Sequence, residues 1–227
     1  MRILCVSDVH GHADALAAVL ATAERRGWDL VVAAGDHCFP GPKPLEAFQR
    51  LARVKALLAQ GIGDRALATI DPSAVRGRSD RERERLERLA AVRLELGDAV
   101  LARLAALPEI VRVPLPDGRE LVVVHGSPTD ATEPMTHDMS DDEISALLGD
   151  DPADIVVCGG SHVPFDRLVS GVRVVNVGSV GEAPESTSGA PGGARAHATW
   201  ITVPKLSEAG EGGPVVEQFA VPLGKAA

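Results

Sequence analysis

The sequence predicts an α/β fold in which two β-sheets pack face to face and helices cover both outer sides. Two observations carry this. The N-terminal half alternates apolar runs of strand length with helix-period segments, and the C-terminal half is a succession of β runs in mixed order. With 227 residues the chain can bury a full core as one domain spanning 1–227. It shows no internal repeat.

The elements follow in order. Residues 2–6 read as a first strand, and residues 13–25 as a helix whose Leu16, Val19, Leu20 and Ala23 recur at i, i+3, i+4 and i+7. Residues 29–33 give a second strand, and Pro44 at a first-turn position opens a helix to about residue 58. Ser79 with Glu82 forms a capping-box start for a long helix near 80–106, with Leu89, Val92, Leu96, Val100 and Leu104 along one face. The charge run from Arg81 to Arg85 is then its solvated first turns. Pro116-Asp117-Gly118 joins β runs at 110–114 and 119–124 as a hairpin. A short helix near 141–148 precedes strands at 154–158, 165–169, 172–177, 197–203 and 214–221. Residues 182–196, rich in Gly, Pro and Ser, read as a mobile loop near the site.

Composition narrows the function. A net charge of −9 leaves no large basic surface to neutralise phosphates, which argues against nucleic acid as an obligate partner. Only 3% of residues are aromatic and Tyr is absent, so base-stacking platforms are also poorly supplied. Cys5, Cys38 and Cys158 lie far apart with no C-x-x-C spacing and read as reduced core residues. The chain enters its first strand within two residues, and no apolar run approaches the roughly 18 residues needed to span a bilayer. The expectation is a cytoplasmic protein with no membrane association.

The chemistry lies at strand tips. ILCVSDVHGH and VVAAGDHCFPG both end an apolar run in an Asp, Asp8 and Asp36. LVVVHGSP places His125 at a third tip, and DIVVCGGSHVP places His162 just beyond a fourth. In an α/β sheet the crevice outside the strand carboxyl ends is where ligands bind, so these tips converge. With His10 the set is two carboxylates and three imidazoles, which suits a divalent Mn, Fe, Zn, Ni or Co ion better than Ca. Taken singly, an Asp after a strand is most often a helix N-cap and a buried His a hydrogen-bonded core residue. The joint pattern is hard to reach by independent capping.

These motifs resemble the calcineurin-like metallophosphoesterases, in the branch of small bacterial and archaeal members that read D-x-H-G-N, G-D, G-N-H-D, H-G-S-P, G-H-T-H and N-x-G-S-V-G. Here the blocks stand as Asp8-Val9-His10-Gly11-His12, Gly35-Asp36, Gly61-Ile62-Gly63-Asp64, His125-Gly126-Ser127-Pro128, Gly159-Gly160-Ser161-His162 and Asn176-Val177-Gly178-Ser179-Val180-Gly181. The resemblance runs from residue 1 to about residue 203. It implies an α/β/β/α four-layer sandwich and a two-metal site. The first metal would be held by Asp8, His10, Asp36 and His162, with Asp36 bridging to a second.

The second position departs from the family. Its remaining ligands would fall at 62, 125 and 160, and here Ile62 and Gly160 cannot coordinate, leaving Asp36 and His125. The family's G-N-H-D histidine, which assists the leaving group or the transition state, is Gly63. About one divalent transition metal per chain is therefore expected. His12, where the family usually has Asn, and His37, Cys38 and Asp64 are nearby spare groups. Their plainer reading is exposed loop residues for His12 and His37, a small core residue for Cys38 and a helix N-cap for Asp64.

The resemblance implies hydrolysis of a phosphodiester or small phosphomonoester. A single metal can still acidify a water and polarise a phosphoryl oxygen. His125 and His12 are candidate phosphate contacts, with backbone amides around Gly11 and Ser161 close to the substrate, while no catalytic acid or base is identified. The competing expectation is a catalytically degenerate fold serving as a binding or scaffolding module for a protein partner, as in the metallophosphoesterase-like subunit of the retromer coat.

Overall fold

A computed structural model describes residues 1–184, 193–204 and 213–224. Its elements are β1 (Arg2–Val6), α1 (Ala13–Glu24), β2 (Leu30–Ala33), α2 (Pro44–Arg53), β3 (Leu57–Leu58), α3 (Ile62–Thr69), α4 (Asp80–Ala105), β4 (Ile110–Pro114), β5 (Glu120–Val124), α5 (Asp141–Leu148), β6 (Ile155–Cys158), β7 (Phe165–Val169), β8 (Val172–Asn176), β9 (Arg195–Thr202) and β10 (Val215–Pro222). One sheet runs β10-β9-β1-β2-β3, the other β4-β5-β6-β8-β7.

The period of two along each central strand builds the layers. In β1, Ile3 and Cys5 point between the sheets, where they meet Val32, Val123, Val157 and Ile201. Leu4 and Val6 point the other way, into a cluster with Leu16 and Val19 of α1 and Leu51 of α2. In the second sheet Leu121 and Val123 face inward, while Val122 and Val124 pack outward with Ile144 and Leu148 of α5. Strands covered on both faces read as continuous apolar runs, as these do. The result is the expected α/β/β/α order. α4 lies over α2 and α3 and buries Leu89, Val92, Leu96 and Leu104 with Phe48 and Leu67.

The strand directions decide where the chemistry collects. β1 and β2 are parallel, as are β5, β6 and β8. The loops after β1 and β2 are laced together, Asp8 N–H donating to Gly35 O at 3.1 Å and His10 N–H to Asp36 O at 2.8 Å. The two sheets are tied at the same end, where Gly160 N–H donates to Asp8 Oδ2 at 3.0 Å.

Several expectations are corrected. The helix opened by Pro44 ends at Arg53 rather than near 58. Lys55 turns into the left-handed region with φ 54°, and Leu57 and Leu58 pair in parallel with Val32 and Ala33 as a short edge strand. α3 begins earlier than the N-cap reading of Asp64 implies: Asp64 stands at its third position, and its carboxylate accepts from Gly61 N–H at 3.0 Å. At the start of α4 only half of the box forms. Ser79 Oγ accepts from Glu82 N–H at 3.2 Å, but the Glu82 carboxylate takes Arg78 N–H instead. Gly97, with φ 70°, kinks the same helix.

The expected 182–196 loop contains residues 185–192, which lie outside the described residues, and its last two residues, Arg195 and Ala196, belong to β9. The three cysteines are free and buried, in agreement with their reading as core. Among the described residues no helix is long and apolar enough to cross a membrane.

Candidate metal centre

Three strand tips, after β1, β2 and β6, end in strained backbone. Six non-glycine residues among those described have positive φ, and four of them are Asp8 (52°), His10 (48°), Asp36 (51°) and His162 (63°). An L-residue in the left-handed region carries a cost that persists only where the surroundings impose it, and such residues gather at functional sites. The support for Asp8 comes from the N-V-G-S-V-G block, whose role the sequence left open. Gly181 N–H and Ser179 Oγ both donate to Asp8 O, at 3.0 and 2.9 Å, and Val180 N–H donates to Ser7 O at 3.0 Å.

The side chains then converge. Asp8 Oδ1 lies 3.1 Å from His162 Nε2 and 3.5 Å from His10 Nε2, and the two Nε2 atoms are 3.1 Å apart. Asp36 Oδ2 is 3.9 Å from His10 Nδ1 and 3.7 Å from His125 Nε2. Asp8 Oδ2 is occupied, accepting from Ser7 Oγ at 2.7 Å and from Gly160 N–H. Its buried Oδ1 has no hydrogen-bond partner. His10 Nδ1 donates to Phe39 O at 2.5 Å and His125 Nδ1 to Ala34 O at 2.8 Å. Bonding one ring nitrogen to a carbonyl fixes the tautomer and turns the Nε2 lone pair toward the site, the arrangement metal-ligating histidines adopt.

A cation fits this donor set. An orphaned carboxylate oxygen and two Nε2 lone pairs within 3.5 Å of it repel one another unless a positive charge lies between them. Two groups of three residues could each hold an ion, Asp8–His10–His162 and Asp8–Asp36–His125. In the metal-free chain protons supply that charge. Burial pushes the Asp8 carboxyl up, but the imidazoles of His10 and His162 outweigh it and hold it below the ordinary carboxylate range. Burial opposes charge on His10 too, yet Asp8, Asp36 and Glu182 raise its pKa to about 9. Asp36 is raised, mainly by burial, and His125 is raised because Asp36 and Asp8 outweigh its desolvation.

The positions at 62, 63 and 160 add no side-chain ligand. Ile62 is 44% exposed. Gly63 contributes its backbone, with N–H donating to Asp36 Oδ1 at 2.6 Å, which leaves Oδ2 for the site. Gly160 has φ 72°, and a Cβ there would meet Pro134 Cβ at 3.1 Å.

The spare groups resolve differently from one another. His37 is fully buried rather than exposed: its Nε2 bonds Ala59 O at 3.0 Å and stands 3.6 Å from Asp64. Asp64 is spent on His37 N–H and Gly61 N–H. Cys38 is a buried core residue. His12 is half-buried at the start of α1, its pKa lowered by burial; its ring packs beside Gly181 and lines a separate cleft together with Lys43. The amides of Gly11 and Ser161 are already used, donating to His37 O at 2.9 Å and Gly159 O at 2.8 Å.

Two features escaped the sequence reading. Glu182, just after the N-V-G-S-V-G block, brings a carboxylate oxygen to 3.8 Å from His10 Nε2. The run of charges opening α4 is exposed from Arg81 to Arg85, as expected, and Arg83 pairs with Asp80, but Arg81 and Arg85, at i and i+4, also border the cleft that holds His10 and Asp36. Arg88, one turn on, donates through Nε to Pro40 O at 2.7 Å and also bonds Gly41 O. The i, i+4, i+7 spacing of Arg81, Arg85 and Arg88 was the available signal.

The calcineurin-like phosphoesterase superfamily domain matches residues 1–192, and the chain belongs to this family. No curated protein matches it. Among solved structures, a hypothetical protein from Pyrococcus horikoshii OT3 is similar with TM-score 0.78 and 19% identity, covering 99% of this chain and 89% of that one. A metallophosphoesterase from Sphaerobacter thermophilus gives TM-score 0.67 and 24% identity over 88% and 82% of the two chains. Vps29 from Entamoeba histolytica gives TM-score 0.53 and 14% identity over 97% and 99%. At these identities the likeness establishes the fold alone.

Proposed function

We propose that this chain is a metal-dependent phosphoesterase in which Asp8, His10, Asp36 and His162 hold one divalent transition-metal ion, with His125 beside it. The observation supporting this is the unpartnered, buried Asp8 Oδ1 facing the Nε2 atoms of His10 and His162, each from a left-handed strand tip. Bound there, a divalent ion lowers the pKa of water toward neutrality and polarises a phosphoryl oxygen. The protein's part is orientation. Phe39 O and Ala34 O fix the rings of His10 and His125, Gly63 N–H fixes the Asp36 carboxylate, and Ser179 and Gly181 hold the Asp8 backbone. His125 Nε2 faces Asp36 at 3.7 Å and is placed to contact a phosphate or a weakly held second ion. His12 enters only as an outer contact to a larger substrate. The substrate is a phosphorylated small molecule. Turnover of bis(p-nitrophenyl) phosphate that needs added Mn²⁺ or Zn²⁺ and vanishes in Asp36→Asn is the test.

A second reading has its own observation. Ile62, Gly63 and Gly160 remove three family side chains from one side of the site, which favours a scaffold that binds a protein partner. Metal-loaded protein with no phosphoesterase turnover on any ester would favour it.

A further inference from the structure

Between α3 and α4 lies an apolar cavity of about 330 Å³, walled by Phe39, Ile62, Ile70, Val75, Leu86 and Leu89. The cleft of about 460 Å³ that holds His10 and Asp36 adjoins it, because Phe39, Ile62 and Arg85 line both. The combined space is polar at the metal end and apolar at the other. Ligand sites of this kind, mostly apolar with a few placed polar groups, run about 300–1,000 Å³.

Exposure points to the same place. Of seven exposed large hydrophobic side chains among the described residues, three surround this cavity: Ile62 at 44%, Ile70 at 37% and Val75 at 49%. Scattered exposed apolar residues need no explanation, but a cluster rimmed by charge marks a binding site. Ile62 is the residue that stands where the family has a ligand Asn. Its side chain lies at the junction and turns a coordinating position into an apolar wall. Arg85 is held at the same junction, its guanidinium carbon 5.5 Å from the Phe39 ring centroid.

We propose that this cavity is the subsite for the organic group of the substrate, which is a phosphoester of an apolar, ring-sized alcohol, with Arg85 pairing to its phosphoryl oxygens. The proposal rests on the phosphoesterase reading of the metal centre. The cavity shares the wall formed by Phe39, Ile62 and Arg85 with the cleft that holds Asp36, so a compact group attached to a phosphoryl in that cleft is the occupant that reaches it. Arg85 is the charged side chain common to both linings and would meet an anion seated between the two spaces; Arg81 and Arg88 line the cleft along with Glu84 and Glu182, and Arg76 and Glu82 border the cavity.

Binding of two non-hydrolysable probes to the Mn²⁺-loaded full chain, measured by calorimetry, tests this without relying on turnover. 1-Naphthylphosphonate is expected to bind at least about tenfold more tightly than methylphosphonate, the discrimination that apolar contacts of this size provide. Val75→Asp and Ile70→Asp, at exposed positions that tolerate polar groups, are each expected to remove most of that preference. Equal binding of the two probes overturns this proposal and leaves the phosphoesterase reading standing. A preference that survives in both variants overturns it as well, by placing the ring elsewhere. If neither phosphonate binds the loaded protein, the phosphoesterase reading falls and the subsite falls with it.

Discussion

His162 Nε2 stands 3.1 Å from both Asp8 Oδ1 and His10 Nε2, although His162 comes from the second sheet and the other two from the first. The contact bridges the ends of the two sheets, so an ion held there is also a cross-link between them. Elemental analysis of protein purified without chelator is expected to give about one transition-metal ion per chain. His162→Asn is the informative variant, because Asn tolerates the left-handed backbone that position 162 requires. It should fold and lose the ion. Loss of metal should lower the apparent stability by about 3 kcal/mol relative to protein loaded at a hundredfold over its Kd. Two tightly held ions per chain would contradict the single-site assignment.

The dependence on pH should have opposite signs with and without metal. His10 has its pKa raised from 6.5 to about 9 by Asp8, Asp36 and Glu182 in the metal-free chain, against the opposing effect of burial. A raised imidazole contributes stability that is fully present below its unfolded value and is lost as pH rises through the folded one. The metal-free protein should therefore lose Tm between pH 6.5 and about 9, and His10→Gln should flatten that slope. Metal binding must displace the same proton, so affinity for Mn²⁺ or Zn²⁺ should rise over that window. A metal-free Tm that climbs with pH would show that His10 is not the proton carrier.

The second coordination layer should matter as much as the ligands do. Ser179 is fully buried, donates to Asp8 O at 2.9 Å and accepts Glu182 N–H at 2.7 Å. Ser179→Ala removes one of two donors that hold Asp8 in its strained conformation and also frees the segment carrying Glu182. A loss of about 10–100-fold in metal affinity is expected. Folding stability should fall by only about 1–3 kcal/mol, the cost of a buried donor left unpaired. If calorimetry finds metal affinity unchanged, Asp8 is held well enough by Gly181 N–H alone.

Most of this site was legible because strand tips announce themselves in sequence. Apolar runs ending in Asp8, Asp36 and His125 fix both the element and the exit direction of the side chain, so convergence follows from parallel strands. His37 was misjudged because nothing local distinguishes a loop histidine from one buried against Ala59 and Asp64; that difference is made by α3, whose start a Gly-Ile-Gly run hides. The early end of α2 has the same kind of cause. Leu57 and Leu58 satisfy a helical pattern and a parallel edge strand equally, and pairing with Val32 and Ala33 decided it. The spacing of Arg81, Arg85 and Arg88 puts them on one helix face, but which cleft that face borders, and the approach of Glu182 to His10, depend on how distant segments fold together.

The missing second-site ligands define a restoration test whose cost the structure now sets. Ile62 is 44% exposed, so Ile62→Asn buries no unpaired amide and should be close to neutral for stability, within about 0.5 kcal/mol. Gly160→His is harder. Position 160 has φ 72°, and its Cβ would meet Pro134 Cβ at 3.1 Å, although it would also stand 3.6 Å from His125 Nε2, on the side where a ligand is needed. A cost of about 1–3 kcal/mol is expected for that backbone strain. On the proposed ligand set Asp36 and His125 would supply two ligands at that position, so either single variant would reach three and the double variant four, the number a tightly held transition metal takes. The double variant should therefore gain a second ion and phosphodiesterase rate by more than the two singles combined, a coupling that a double-mutant cycle measures directly. Metal binding should in turn offset the strain at 160, so the Tm deficit of Gly160→His should shrink on adding Mn²⁺ only when Asn stands at 62. A double variant that folds, shows the strain of position 160 and still binds one ion would mean that the cleft has changed shape around Ile62, and that its altered wall serves the substrate rather than a second metal.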